Sequence, residues 1–331
     1  MGEMRGLLIH TAADTTTLGV VGPIFPDGSF EYIPIRNSFG IEEKNYSDFP
    51  ARNTKYGKTL ADFLPSDVSR LSVHYDPDFE NYIYGQDLSP HPRARALSNL
   101  RVGDVVFFVF SLAPYDPEVY RDKDNRLLNF QRGRRNKYVT GFFTVKDVAK
   151  VYVFKSSGRL ALALLNIPYH EQGESLLDMK SLEKELKMLE EMNYIYREND
   201  KYKLTREGGN FSRSGEDMLS FISEILPGDR EDALQLLENG YIMIDSLTNN
   251  ITEKIVKLSH HYKRLKKLDY DQFILVMGDP DKFALLNRAI PLTMGYEGYC
   301  YKLNELGQAI LKKKMTHSEV HDGLITMQPN Y

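Results

Sequence analysis

The sequence predicts an α+β fold in which a β-barrel core is interrupted by a helical segment. Two apolar stretches inside Leu100–Val148 are bounded by turn residues, as strands buried on both faces usually are; they are Val105–Phe110 and Tyr138–Val145. Between residues 156 and 269 the apolar residues recur instead at helical spacing. Strand patterns resume after residue 270, which indicates that the last part of the chain completes the barrel.

Short strands, turns and short helices are predicted for the N-terminal part. Gly6–His10 is the first predicted strand, and the Asp27-Gly28 pair marks a sharp turn before Phe30–Ile35, which alternates as a half-buried strand does. Lys58–Leu64 has the pattern of a short amphipathic helix. Arg93–Leu100 suits another short helix, directly before the two apolar strands.

The segment 156–269 is predicted to be a winged-helix-like insertion. Ser181–Met192 is an amphipathic helix, and Tyr194–Arg197 faces Tyr202–Thr205 as the two strands of a hairpin. In DNA-binding winged helices the third helix reads the major groove. Here that helix carries four glutamates against two lysines, and an acidic helix repels phosphate. The sequence therefore favours packing or dimerisation over DNA reading by this helix.

Composition restricts the classes of protein to which the chain can belong. A single cysteine, Cys300, excludes an internal disulfide framework and a multi-cysteine zinc site, and it fits a reducing cytoplasm. The formal net charge is −4, so binding to nucleic acid would need local basic patches. No apolar run approaches the ~20 residues of a membrane span, and no secretory signal is recognisable. We therefore expect a cytoplasmic protein that has no membrane association.

A basic loop is predicted between the two apolar strands. Asp116–Lys137 holds seven lysine and arginine side chains, enough for a local positive surface. The alternative is a solvated loop that binds nothing. The residues predicted to bind phosphate are Arg132, Arg134, Arg135 and Lys137.

The densest polar cluster is the run His74-Tyr75-Asp76-Pro77-Asp78. On a strand, its histidine and two aspartates would share one face, where they could bind a base, transfer protons or hold a metal. Pro77 interrupts a regular strand, so the alternative is a structural Asp-Pro-Asp turn. The turn is favoured over a metal site, and neither a metal nor a cofactor is predicted.

Five motifs in succession resemble one known family. They are GPIFPDGSFEYIPI, YSD, GKTLADFL, HYDPDFENYIYG and LRVGDVVFFVFSL. In this order they resemble the third type of nucleotide modification associated domain, and FILVMGDPDKFALLNRAIPL resembles that family's closing strand, turn and return strand. The family is grouped with phage and prokaryotic systems that alter DNA bases, and it is similar in turn to PUA-like barrels. The resemblance implies a PUA-like barrel and a role in nucleotide modification, but no particular reaction.

The resemblance completes the domain plan and the site prediction. Residues 1–155 are predicted to form the first part of the PUA-like barrel, 156–269 the insertion, and 270–331 the barrel completion and C-terminal tail. The matching motifs lie in the family's shared core. The residues predicted to bind a base or other ligand are Asp27, Tyr46, Asp48, His74, Asp76, Asp78 and Tyr84.

Three functions remain open at this point. The leading hypothesis is a nucleic-acid-associated protein that binds a base, modified or flipped out, in the barrel pocket, with DNA favoured over RNA. The second is a base-modifying enzyme that uses His74 and its neighbouring carboxylates. The third is a regulator or scaffold that forms a homodimer through the insertion. The sequence has no phosphate loop, nucleophile elbow, zinc-protease helix or zinc-deaminase signature, which modestly favours a binding module.

Overall fold

The computed structural model describes residues 5–12, 21–36, 44–88, 92–117, 135–155, 159–173, 178–199, 201–206, 208–209, 240–265, 269–297 and 300–311. They form a mixed α+β protein, and the chain divides into two compact units. The main unit comprises Met1–Lys150, Ser246–Arg264 and Ile274–Tyr331. The second unit comprises Val151–Asp245 and Leu265–Phe273. The boundaries predicted at 156 and 269 stay a prediction.

Thirteen strands are present in the described residues. They are β1 (Gly6–His10), β2 (Gly22–Ile24), β3 (Ile35–Arg36), β4 (Val73–His74), β5 (Ile83–Asp87), β6 (Val105–Pro114), β7 (Asn136–Lys155), β8 (Ile195–Glu198), β9 (Lys201–Leu204), β10 (Tyr241–Ser246), β11 (Asp269–Pro291), β12 (Thr293–Glu297) and β13 (Cys300–Leu303). Seven of them form one mixed sheet, in the order β1-β6-β7-β11-β5, with β2 also paired to β6 and β10 to β7. No pairing among the described strands closes this sheet, so the PUA-like barrel stays a prediction.

The two predicted apolar strands are neighbours in the middle of this sheet. Strand β6 runs antiparallel to β7, and the register places Phe108 opposite Gly141. On its other edge β6 runs parallel to both β1 and β2. A Cβ atom at Gly141 would lie 2.9 Å from the carbonyl oxygen of Ala284, so glycine permits the close approach of strand β11.

The return turn expected at Gly278-Asp279-Pro280 is wrong, because β11 continues through these residues as one strand. The N–H of Gly278 donates a 2.7 Å hydrogen bond to the carbonyl of Tyr82, so the backbone stays paired at the point where the motif predicted a reversal. A Gly-Asp-Pro sequence favours a turn only when no neighbouring segment satisfies its backbone groups.

Seven α-helices are described. They are α1 (Ser66–Ser69), α2 (Pro92–Ser98), α3 (Arg159–Glu171), α4 (Glu183–Glu191), α5 (Glu253–Leu258), α6 (His260–Lys263) and α7 (Glu305–Leu311). The predicted helix Lys58–Leu64 is a 3₁₀ turn over Leu60–Phe63, which Thr59 and Asp62 cap reciprocally. Helix α2 matches the helix predicted before the apolar strands.

The second unit contains the predicted amphipathic helix and hairpin. Leu182, Leu186 and Leu189 are buried, which explains why α4 forms with its glutamates outward. Strands β8 and β9 pair antiparallel, as the hairpin prediction requires. The winged-helix arrangement itself stays a prediction. Strand β10, which the sequence did not predict, pairs with β7.

Aromatic side chains fill the core of the main unit. Tyr32 stacks on Phe110 with ring centroids 4.9 Å apart, and Phe79 meets Phe108 edge to face at 5.3 Å. The high tyrosine and phenylalanine content therefore serves packing at these positions. Among the described helices, none is both long and apolar enough to cross a membrane.

Candidate functional site

A cluster of histidines and carboxylates surrounds strand β5 in the main unit. His74 ends β4 and Asp76 follows it, Asp87 ends β5, and α6 begins with a histidine pair. We call this set the histidine cluster; its members are His74, Asp76, Asp87, His260 and His261.

The His74 ring lies flat against the His260 ring, with centroids 3.5 Å apart and planes inclined by 16°. Its Nε2 atom is buried and has no hydrogen-bond partner among the described residues. Asp76 Oδ2 lies 3.9 Å from this nitrogen. An unsatisfied buried nitrogen costs about 1–3 kcal/mol, so this atom has an unused hydrogen-bonding position beside a carboxylate.

The turn after β4 places Asp76 against β5. Asp78 Oδ1 accepts hydrogen bonds of 2.9 Å from the N–H groups of both Glu80 and Asn81, and Asp78 bridges to Ile83 in antiparallel fashion. The chain thus reverses, and Asp76 Oδ1 accepts a 3.2 Å bond from the N–H of Gly85. Only Val73–His74 is strand here, so the shared face expected for His74, Asp76 and Asp78 does not form.

His261 and Arg264 hold the other carboxylate of the cluster. His261 Nδ1 lies 3.1 Å and Arg264 Nη2 2.5 Å from Asp87 Oδ1. The hydrogen bond from His261, supported by the arginine charge, holds the pKa of Asp87 well below its usual range. Asp87 and His261 could supply two metal ligands, but the Arg264 guanidinium on the same oxygen would compete with a cation. A Cβ atom at Gly85 would lie 2.3 Å from His261 Cδ2, so only glycine fits there.

His260 and His261 are absent from the predicted site residues, since residues 252–268 have the sequence pattern of one continuous helix. The helix instead breaks at Ser259, whose hydroxyl caps α6 by accepting from the N–H of Tyr262. The break turns both histidines inward, where His260 is 6% and His261 4% exposed. The Ser-His-His sequence, a cap residue before two polar aromatics, is the signal that was available.

Three predicted ligand residues make local bonds. Asp27 Oδ1 accepts from the N–H and hydroxyl of Ser29 within its turn. The buried Tyr46 hydroxyl donates a 2.7 Å bond to the carbonyl of Pro34. Asp48 Oδ2 accepts a 2.8 Å bond from the N–H of Asn45 and closes a helix cap. Their role as ligands stays a prediction.

Tyr84 lies in the core, where its ring meets Phe108 edge to face at 5.9 Å. Burial raises the pKa of Tyr84 to about 12, and its hydroxyl hydrogen-bonds with Arg93, whose charge opposes that rise. The charge of Asp76 also contributes to the raised pKa of Tyr84, so this tyrosine lies near the histidine cluster.

A second buried polar group, the lysine cluster, comprises His10, Ser111 and Lys137. Lys137 lies in β7 and not in the basic loop, and it is 1% exposed. Its Nζ atom donates to Ser111 Oγ at 2.7 Å and lies 2.6 Å from His10 Nε2. Burial, and then the charges of Lys137, Arg93 and Arg135, lower the pKa of His10 well below its usual value.

The other residues predicted to bind phosphate are Arg135, just before β7, and Arg132 and Arg134, which lie outside the described residues. The charge of Arg135 acts on His10, so Arg135 and Lys137 are two cations near this histidine. Phosphate binding by all four residues stays a prediction.

These features define an α+β protein whose mixed sheet carries two buried polar clusters. The family described as nucleotide modification associated domain 3 matches residues 5–222, which is more than half of the chain. The chain therefore belongs to this family, and the resemblance drawn from the five motifs is confirmed. No curated protein and no solved structure matches it. Membership ties the chain to nucleotide modification.

Proposed function

We propose that this protein binds a nucleic-acid base, modified or flipped out of its helix, at the histidine cluster. The observation that carries the proposal is the buried His74 Nε2 atom, which lacks a hydrogen-bond partner among the described residues and lies 3.9 Å from Asp76 Oδ2. Side chains buried for packing alone usually have their polar atoms satisfied. The family membership supplies the context of nucleotide modification.

The chemistry of these two atoms fits the edge of a base. A carboxylate oxygen accepts from an exocyclic amino group, and an imidazole nitrogen donates to or accepts from a ring nitrogen or carbonyl. Asp76 Oδ1 is bonded to the N–H of Gly85, which leaves Oδ2 for a ligand. The side chains are 20% exposed for His74 and 10% for Asp76, while the His74 Nε2 atom itself is buried.

The stacked histidine pair supports the same proposal. His74 and His260 already pack face to face at 3.5 Å, which fixes the plane of the His74 ring. A ring held in one plane presents its nitrogen in one direction, so the cost of ordering this side chain is met before binding. The alternative of a structural turn explains Asp78, which bonds to Glu80 and Asn81, but it assigns no partner to His74 Nε2 or to Asp76 Oδ2 among the described residues.

The basic loop is proposed to hold the nucleic-acid backbone. Arg132, Arg134 and Arg135 would contact phosphates, and such contacts give affinity without sequence preference. DNA is favoured over RNA because the family is associated with modification of DNA bases. In this account the loop holds the strand and the histidine cluster selects the base.

A base-modifying enzyme is the second candidate, and the same pair of atoms favours it. His74 Nε2 and Asp76 Oδ2 at 3.9 Å would need only a small movement to exchange a proton, as acid–base catalysis requires.

A scaffold is the third candidate, because Met188, Met192 and Tyr196 are each more than 40% exposed in the second unit. Product formation from a bound base, or a dimer lost on replacing these three residues, would support the respective candidate.

Binding to a panel of normal and modified nucleotides and short oligonucleotides tests the proposal. We expect His74→Gln and Asp76→Asn each to weaken binding of the preferred base at least about tenfold, which corresponds to about 1.4 kcal/mol. The matched control is Asp78→Asn, which changes a neighbouring carboxylate whose bonds are confined to the turn. That variant should lower stability and keep the base preference. Folded His74→Gln and Asp76→Asn proteins that bind the panel as the parent does would refute the proposal.

A further inference from the structure

The lysine cluster has the geometry of an activated nucleophile. Its atoms come from three neighbouring strands, with His10 on β1, Ser111 on β6 and Lys137 on β7. The register makes Ser111 and Lys137 a direct cross-strand pair, and it sets His10 opposite Val109, two residues before Ser111. Directly paired side chains share one face of a sheet. The arrangement is therefore fixed by the sheet and not by a loop.

Each pair of atoms in the cluster is within hydrogen-bond reach. Ser111 Oγ lies 2.7 Å from Lys137 Nζ and 3.0 Å from His10 Nε2, and Nζ and Nε2 are 2.6 Å apart. The backbone of Lys137 is held on both sides, since its N–H donates to Thr293 Oγ1 and its carbonyl accepts from Leu292. A hydroxyl within reach of an imidazole and an amine is one form of nucleophilic site. His10 Nε2 has one lone pair, so it can take the serine proton only while Lys137 Nζ donates to Ser111 Oγ or to a substrate.

A purely structural role explains this cluster poorly. Ser111 and Lys137 are each 1% exposed, and a buried lysine is usually less favourable than an apolar residue of the same volume. The next residue after His10, Thr11, has a buried hydroxyl with no hydrogen-bond partner in the described part of the chain. Buried hydroxyls are normally satisfied, so the end of β1 has a second polar group whose bonding capacity is unused within the described residues.

The surrounding charges indicate the class of substrate. Arg93 and Arg135 lie close enough to act on His10, as Lys137 does. Lys137 Nζ beside the hydroxyl, with two arginine charges acting on its histidine neighbour, suits a negatively charged electrophile, and cations stabilise the charge that develops on phosphoryl oxygens. We propose that Ser111 is a nucleophile toward phosphate esters, with His10 as its base and Lys137 as the donor to the phosphoryl oxygen.

The proposed step balances as a double displacement. Ser111 Oγ attacks phosphorus, its proton passes to the neutral His10 Nε2, and the bond from phosphorus to the leaving oxygen breaks. His10 then gives that proton to the leaving oxygen. Water next attacks the phosphorus of the phosphoserine and gives a proton to His10, the bond from phosphorus to Ser111 Oγ breaks, and His10 returns the proton to Oγ as the phosphate product leaves. The negative charge of the substrate offsets the nearby cations, so binding itself makes His10 a better proton acceptor.

Diisopropyl fluorophosphate is a suitable probe, because a nucleophilic serine oxygen attacks its phosphorus and displaces fluoride. The full-length parent protein should gain one phosphoryl adduct, which peptide mapping places on Ser111. Ser111→Ala should remove the adduct, and the matched control Ser98→Ala, which changes a hydroxyl bonded to the helix carbonyl of Ala94, should keep it. Nucleoside monophosphate should slow labelling of the parent.

The proton carriers are tested by the rate of labelling together with melting temperature. His10→Gln and Lys137→Met should each slow labelling at least tenfold in protein that still melts cooperatively. No adduct on folded parent protein, or equal labelling of the Ser111→Ala protein, would overturn the proposal. The same holds if Lys137→Met leaves the labelling rate unchanged. This inference does not depend on base binding at the histidine cluster, so either can fail alone.

Discussion

Two carboxylates of the main unit, Asp147 and Asp76, are bonded in contrasting ways. Asp147 is fully buried and accepts hydrogen bonds from the N–H groups of Val148, Thr248, Asn250 and Ile251 and from the hydroxyl of Ser246. Asp76 accepts one, from Gly85, among the described residues. Within the described residues, both oxygens of Asp147 are hydrogen-bonded, whereas one oxygen of Asp76 is unused.

The difference separates a structural carboxylate from a candidate ligand-binding one. Asp147 joins β7 to the segment after β10, and its bond to Ile251 spans 104 residues of sequence. Burial alone would raise the pKa of Asp147, but hydrogen bonds from Ser246, Ile251 and Thr248 together lower it. Asp76 instead lies beside a buried imidazole nitrogen that also lacks a bond within the described residues. Unused bonding capacity at a buried site is thus a better indicator of function here than charge.

The largest expected effect is on stability, and it tests the structural side of this comparison. Asp147→Asn should lower the free energy of unfolding by about 3 kcal/mol, because an amide oxygen accepts fewer bonds and its NH₂ group meets backbone donors. Chemical denaturation measures the change. Base binding by the folded fraction should stay at the parent level. A loss below about 1 kcal/mol would show that Asp147 is not the anchor described here.

Lowering the pH should remove the stability that Asp147 contributes. A carboxyl whose pKa is lower in the folded than in the unfolded state adds stability at pH values above its usual pKa of 3.8. This stability is lost as the pH falls through the pKa of the folded state. Asp147, Asp104 and Asp87 all have lowered pKa values. The melting temperature should therefore fall steeply below about pH 4. Asp147→Asn should flatten that fall; an equally steep curve in this variant would place the acid sensitivity elsewhere.

A moderate effect is expected from the basic loop. Changing Arg132, Arg134 and Arg135 together to Ala should weaken binding to every nucleic-acid sequence and reduce the salt dependence by about two to three released counterions. Melting temperature is measured in parallel, so that a loss of fold is not mistaken for a loss of phosphate contacts. Binding isotherms at several salt concentrations measure the slope. An unchanged slope would make the loop solvated surface that contacts no phosphate.

The smallest expected change completes the comparison. Asp76→Asn should alter the free energy of unfolding by less than about 1 kcal/mol, since only one hydrogen bond is at risk. Thermal denaturation on the preparation used for base binding measures it. A loss as large as that for Asp147→Asn would make Asp76 a structural residue like Asp147.

Local patterns predicted much of the fold. The apolar runs at Val105–Phe110 and Tyr138–Val145 predicted β6 and β7, and leucine spacing predicted α4, because burial leaves a periodic signal in the sequence. Strand β10 was missed, and the Gly278-Asp279-Pro280 turn was wrong, because both depend on pairing with distant segments.

The candidate site was only half predictable. His74 and Asp76 form a dense local motif, but His260 joins them from nearly 200 residues away, after a break that a single cap residue creates. In the sequence, Lys137 is one more cation at the end of a basic loop. Its burial depends on His10, which is 127 residues distant in sequence and offers no local signal.

Imidazole NMR of the parent protein tests the central claim most directly. With its histidines labelled with ¹⁵N, the protein is titrated with the preferred nucleotide or oligonucleotide from the binding panel. The ring signals of His74 and His260 should shift together when the base binds beside Asp76. The signal of His170, an exposed residue of the second unit, should stay unchanged. Saturable binding that leaves the His74 and His260 signals in place would contradict the account.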